Sequence, residues 1–200
     1  HGETVFNAAR RMQGDTIDTP LTRTGFAQAD TMGRELDRWL GGAARLALWS
    51  SPSGRALQTL AIIAEHLGLN WHMAHRDARL LEINVGQWAG RTYAEIIAEQ
   101  GEIVDGKAGL FSVRPPGGEW FDDIARRLSH WIEDTRSDTG DRLVVMHGMS
   151  SRVLRGLLLG LPADPQWNAP VAESLPQGTM VMIENGVEHI VCDGAGTHLA

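Results

Sequence analysis

The chain of 200 residues has little of what would place it in several large functional classes. Cys192 is its only cysteine, so no intrachain disulfide and no cysteine-rich metal site can form. The most apolar stretches are broken by charge or glycine well short of membrane-spanning length, and no signal peptide is visible. Positive charge is in deficit: 18 basic against 25 acidic residues give a net charge of -7. That balance argues against a generic nucleic-acid surface, while a few arginines focused in one cleft could still hold a small anion. No His-Glu-x-x-His spacing and no Gly-rich loop ending in lysine occurs, so neither a zinc-hydrolase helix nor a nucleotide-phosphate cradle is expected. These absences leave a soluble, cytoplasmic protein of one domain, residues 1–200, with no nucleic-acid or membrane partner.

What the chain does have is histidine in a repeated setting. It opens His1-Gly2-Glu3-Thr4 with Asn7 close behind, and an apolar run, Arg142-Leu143-Val144-Val145-Met146, delivers a second pair, His147-Gly148. A histidine that attacks or binds a ligand should sit on something rigid, so a strand is expected to precede His1. A tag remnant would give no reason for Gly-Glu-Thr and Asn7 to follow.

Apolar residues recur at helical spacing over Thr22–Leu40, with Thr22 as cap and Gly41-Gly42 as stop. Arg45–Trp49 reads as a strand ended by Ser50-Ser51-Pro52-Ser53-Gly54, and Arg55–Leu67 resumes a helical pattern. Residues 70–90 read as loop-rich and Thr92–Glu99 as a helix. Gly101–Gly118, with Pro115-Pro116-Gly117-Gly118, reads as irregular and as the segment best suited to form a mobile lid. Glu119–Thr135 and Ser150–Leu159 read as helices and Arg142–Met146 as a strand. Thr179–Ile183 and Val187–Val191 flank Glu184-Asn185-Gly186, a hairpin signal. Strands alternating with helices predict a three-layer α/β/α sandwich with a mostly parallel, mixed sheet. In such sheets ligands bind beyond the carboxyl ends of the strands, where His147 and the Ser50–Arg55 loop both fall.

At these residues the chain resembles the histidine phosphatase superfamily, with its phosphoglycerate mutase-like fold. Its phosphohistidine motif is Arg-His-Gly-Glu-Thr followed by asparagine; His1-Gly2-Glu3-Thr4 and Asn7 match, without the arginine. Gln13-Gly14, Pro20-Leu21-Thr22, Gly25 and Gln28-Ala29 look like the next shared run. Ser50-Ser51-Pro52 with Arg55-Ala56 and Gln58-Thr59 is similar to the segment carrying a phosphate-binding arginine. Leu81-Glu82 followed by Gly86, Trp88 and Gly90 resembles the acid segment, with Ala89 where glutamate is frequent, and Val145-Met146-His147-Gly148 with Arg152 resembles the second histidine motif.

The resemblance implies His1 as nucleophile, Glu82 as proton donor, Arg55 and His147 as phosphate ligands and Asn7 as an additional one, with no metal and no cofactor. The chemistry suits these residue types. An imidazole nitrogen can attack phosphorus and split hydrolysis into two steps, and its other nitrogen would be fixed by a bond to nearby backbone. Arginine matches two phosphoryl oxygens, a protonated His147 could donate to a third, and Glu82 could move the leaving-group proton. Glu3 and Glu119 are rivals for the acid, and Asn7 could be an ordinary turn former. Arg114, Trp88 and Trp120 could shape the leaving-group pocket, although Trp120 equally fits a packing role. His66, His72, His75, His130, His189 and His198 have no comparable setting.

Only 64 residues separate Glu82 from His147. The mutase branch has a longer cover there, so the short one favours a phosphatase acting on a small phosphorylated metabolite, as a monomer or homodimer. The alternatives are a cofactor-dependent phosphoglycerate mutase and a non-catalytic phosphoprotein-binding scaffold.

Overall fold

The computed structural model describes residues 1–196, so His198 and the strand expected ahead of His1 lie outside the described residues. Along the chain come α1 (Val5–Ala8), α2 (Arg23–Leu40), β1 (Ala47–Ser50), α3 (Gly54–His66), β2 (His75–Arg76) and α4 (Tyr93–Gln100). They are followed by β3 (Val104–Asp105), β4 (Leu110–Phe111), α5 (Phe121–Asp134), β5 (Arg142–Val145), α6 (Gly148–Leu158), β6 (Met180–Glu184) and β7 (Val187–Cys192). The central sheet has the order β2-β1-β5 and is parallel throughout. The antiparallel pairs, β3 with β4 and β6 with β7, form ladders of their own.

Alternation along the strands makes the layers. Leu48, Leu143 and Val145 pack with Met32, Leu36, Leu60 and Ile63 of α2 and α3. Trp49 and Val144 point the other way, onto a larger cluster that includes Phe121, Ile124, Leu128 and Trp131 of α5 and Val153 of α6. The register Leu48↔Leu143, Trp49↔Val144, Ser50↔Val145 brings the carboxyl ends of β1 and β5 level. The other edge of β5 faces β6 across a groove of about 960 Å³ whose lining includes Met32, Leu36, Leu143, Val145, Met180 and Met182.

The helix ends follow local chemistry. Thr22 Oγ1 accepts from Gly25 N at 3.1 Å to start α2, and Gly41, at φ 65°, ends it. Helix α5 starts at Phe121, two residues later than its periodicity predicts, because Asp123 turns back to accept from Trp120 N at 2.9 Å and makes Trp120 the cap. The Asn185-Gly186 turn has φ 53° and 75°, the primed hairpin geometry expected of Asn-Gly.

One segment departs from its expected character. Residues 101–118 are not irregular throughout: they hold the β3–β4 pair, with Ile103, Leu110 and Phe111 in the core and Phe111 O accepting from Trp167 Nε1 at 2.9 Å, while 112–118 belong to no helix or strand. Buried apolar residues of this density anchor the hairpin, and two-residue strands give no periodicity by which a sequence could announce them.

Candidate active site

His1 is held through the backbone that follows it. Gly2 N donates to Thr59 Oγ1 of α3 at 3.1 Å, Glu3 N to Gln28 Oε1 of α2 at 2.7 Å, and Thr22 N to Glu3 O at 2.9 Å. The approach of α2 is so close that a Cβ on Gly25 would lie 2.1 Å from Glu3 O, and one on Gly2 would lie 2.3 Å from Gly25 O. The backbone nitrogen of His1 donates to Met146 O at 3.2 Å, joining the first histidine segment to the end of β5. His1 Nδ1 lies 2.8 Å from Gly2 O, which can only accept, so Nδ1 carries the proton and Nε2 keeps its lone pair.

His147 follows β5 and sets its ring edge to that of His1, with centroids 5.0 Å apart at 63°. Arg55, at the start of α3, is fully buried and donates Nε to His147 Nδ1 at 3.2 Å. Its NH1 donates to Thr16 O at 2.5 Å and Thr19 Oγ1 at 2.8 Å, and its NH2 to Gly14 O at 2.7 Å. Four bonds leave one N–H of the five uncommitted. Burial pulls the guanidinium down to about 10, against the support of Glu82 and Asp15, so it stays a cation at neutral pH. His147 Nε2 lies 2.8 Å from Ser51 Oγ and 3.4 Å from Ser53 Oγ. Since Nδ1 accepts from Arg55, Nε2 is the protonated nitrogen. Burial and then the Arg55 charge hold His147 well below the usual imidazole range. With Arg55 Nε on its Nδ1, the ring is therefore neutral.

Glu82 lies half-buried beside the same helix terminus. Its Oε1 accepts from Ile83 N and Ser150 N, both at 2.9 Å, and its Oε2 from Met149 N at 3.0 Å, so the carboxylate caps α6 directly after His147. A cleft of about 600 Å³ opens next to it, lined among others by Asp15, Asn84, Arg114, Arg127 and His130. Asn7 does form a turn: its Oδ1 accepts from Thr4 N at 3.0 Å and from Thr4 Oγ1 at 2.9 Å. Gln177 Nε2 reaches the same oxygen at 3.3 Å. With the oxygen held, the amide NH2 is the end left to meet an anion.

The rivals for the acid, like Glu82, hold hydrogen bonds of their own. Glu3 Oε1 accepts from Thr22 Oγ1 at 2.5 Å. Glu119 binds Arg127 through both oxygens, at 3.0 and 3.2 Å, and takes Asn84 N at 2.9 Å. Trp88 is not a pocket wall: it is fully buried, stacks edge-on with Phe111 and donates Nε1 to Gln100 Oε1 at 3.2 Å. Its loop looked open in sequence, but an indole is large enough to fill the core behind it. Trp120 caps α5 and packs on Phe121, outside the lining of the Glu82 cleft, while Arg114 lines that cleft and pairs with Asp123 Oδ2 at 2.7 Å. His66 pairs with Asp30 at 2.8 Å, and His72, His75, His130 and His189 are exposed. Ser51, Ser53, Thr59, Gln28, Gln177 and Arg127 were not assigned site roles from sequence. Thr59 and Gln28 stand inside the shared motifs, but Gln177 and Arg127 carry no local signal.

A histidine whose Nδ1 is held by backbone, a second, buried histidine and a buried arginine come together where β1 and β5 end. The sequence profile of the histidine phosphatase superfamily (branch 1) matches residues 1–190, and the chain belongs to that superfamily. Its members are phosphatases and mutases that act through a phosphohistidine. A probable phosphoglycerate mutase, GpmB, from Yersinia pestis (strain Pestoides F) is 36% identical over 172 residues, covering 83% of this chain and 75% of that protein. Among solved structures, Bacillus stearothermophilus YhfR superposes with a TM-score of 0.71 at 29% identity, covering 100% of this chain and 96% of the other. The mycobacterial glucosyl-3-phosphoglycerate phosphatase Rv2419c in complex with VO3 also gives 0.71, at 26% identity, covering 98% and 96%.

Proposed function

We propose that the protein is a metal-independent phosphomonoesterase that works through phosphorylated His1 on a small phosphorylated metabolite. The observation that carries this reading is the Nδ1–Gly2 O bond, which puts the ring proton on Nδ1 and leaves the Nε2 lone pair of the neutral ring for attack, with the His147 ring centroid 5.0 Å away and Arg55 bonded to that ring. In the first step Nε2 forms the N–P bond as the P–O bond to the leaving group breaks, and the Glu82 carboxyl gives its proton to the departing alkoxide. In the second, water attacks phosphorus, the N–P bond breaks, Glu82 takes the water proton and phosphate leaves. Arg55 and the Asn7 amide offer N–H donors to the phosphoryl oxygens. A dianion that draws Arg55 Nε away from His147 Nδ1 also favours a proton there, giving the site another donor when negative charge arrives.

The cleft beside Glu82 is open, with the exposed side chains of Arg114, Arg126 and His130 at its edge, so water can reach the Glu82 carboxyl that would activate it. That favours hydrolysis over phosphoryl return. The relative named as a probable phosphoglycerate mutase favours the second reading.

The test is a panel of phosphorylated sugars, glycerate phosphates and nucleoside monophosphates, assayed with excess chelator. Free phosphate should appear with little positional isomer, and acid-labile label preserved by alkaline quenching should map to His1 and vanish in His1→Ala. Label on His147 instead, or a strict need for a divalent ion, would overturn the mechanism. Fast interconversion of 2- and 3-phosphoglycerate with slow phosphate release would establish the mutase, and phosphoprotein binding without turnover would establish the scaffold.

A further inference from the structure

The Glu82 carboxylate is held by Ile83 N and by Met149 N and Ser150 N of α6, but the main chain that carries it has no regular secondary structure. Residues 78–80 form one 3-10 turn and 86–88 another, and the stretch between them belongs to no helix or strand. Buried Leu80, Ile83 and Val85 anchor this main chain in the core, and α5 braces its carbonyls. Arg127 is 17% exposed and donates to four acceptors at once: Arg79 O, Glu82 O at 3.3 Å, and the two Glu119 oxygens. Glu119 passes the hold along, since its Oε2 accepts from Asn84 N and its own N donates to Asn84 O, each at 2.9 Å. Asn84 then donates Nδ2 to Asp15 Oδ2 at 2.9 Å, next to the Gly14 and Thr16 carbonyls that hold Arg55.

From this bracket we propose that Arg127, with Glu119, is a positioning residue for proton transfer: it fixes the main chain on both sides of Glu82 and so sets where the Glu82 carboxyl stands relative to the leaving group. The inference rests on Glu82 being the general acid. Arg127 does not touch the reacting atoms in this role. Its planar fork spans two carbonyls and a carboxylate, an arrangement the single point donor of lysine cannot reproduce. A charge paired in this way serves placement, because a salt bridge of limited exposure contributes little net stability and much geometry.

The test compares phosphorylation rates of His1 by an alkyl phosphate, which needs the proton, and by p-nitrophenyl phosphate, which does not. Misplacement of a reacting group by about an ångström costs on the order of a hundredfold. Arg127→Gln should slow the alkyl substrate by roughly that factor, with a much smaller effect on p-nitrophenyl phosphate and on KM. Arg127→Lys should restore only part of the loss, and Glu119→Gln, which leaves the arginine in place, should show the same leaving-group dependence in weaker form. Added to Glu82→Gln, the Arg127→Gln change should have little further effect on the alkyl rate. Equal slowing of both substrates by Arg127→Gln, or full additivity with Glu82→Gln, would overturn the proposal while leaving Glu82 as the acid. If Glu82→Gln itself slows both substrates alike, the acid assignment fails and the positioning role falls with it. Thermal unfolding of each variant separates these outcomes from loss of fold, which would depress both rates together.

Discussion

Because Arg55 Nε donates to His147 Nδ1, the folded protein resists protonating that ring, and the resistance can be read as stability. The folded pKa is depressed below the unfolded value of about 6.5, so below that pH the unfolded chain takes up a proton the folded one refuses. Stability supplied by neutral His147 is therefore intact above about 6.5 and declines as pH falls toward the folded pKa, by at most about 1.4 kcal/mol per pH unit for one proton. Urea unfolding of the protein and of His147→Gln at pH 7.5, 6.5 and 5.5 should show the steeper decline in the unmutated protein; parallel declines would mean that His147 is charged when folded. The residues that carry chemistry were legible because their types and order are distinctive: His1, Arg55 and His147 do meet. What sequence could not show was occupancy. That Arg55 has one uncommitted N–H, that Ser51 takes His147 Nε2, and that Arg127 reaches back to the Glu82 turn are all tertiary facts with no signature in spacing.

At the scale of elements, the seat of His1 depends on two backbones passing without side chains between them. Alanine at Gly25 would gain about 1 kcal/mol of helix propensity in α2. Its Cβ would stand 2.1 Å from Glu3 O, and overpacking of this kind costs about 1–3 kcal/mol where the structure must shift. Steric cost should win: Gly25→Ala is expected to lower the urea midpoint and, by moving Glu3, to slow phosphorylation of His1 as well. An unchanged midpoint with full activity would show that α2 can retreat without disturbing the site. Helices α2, α3, α5 and α6 were legible because long amphipathic patterns survive small errors at their ends. The two-residue strands β2, β3 and β4 were not, since two paired positions, such as His75 and Arg76, are too few to show alternation.

Across the whole molecule, the two faces of the core share the same strands. Neighbouring residues of β1 and β5 go to opposite sides, Leu48 and Leu143 to the α2–α3 face, Trp49 and Val144 to the α5–α6 face. Neither face can be lost without exposing the partner of the other, so amides of α3 and of α5 should lose hydrogen-exchange protection at the same denaturant concentration; early loss on one face alone would indicate two separable units. Function divides along a different line. The three residues proposed to meet phosphorus, His1, Arg55 and His147, are held by the sheet, α2 and α3, whereas the main chain bearing Glu82 and the cleft beside it are braced by α5 and the residues just before it. On the proposed function, the cleft and its rim can change while the half that holds His1, Arg55 and His147 stays untouched, so a lineage built on this scaffold can exchange one alcohol for another without reinventing its chemistry.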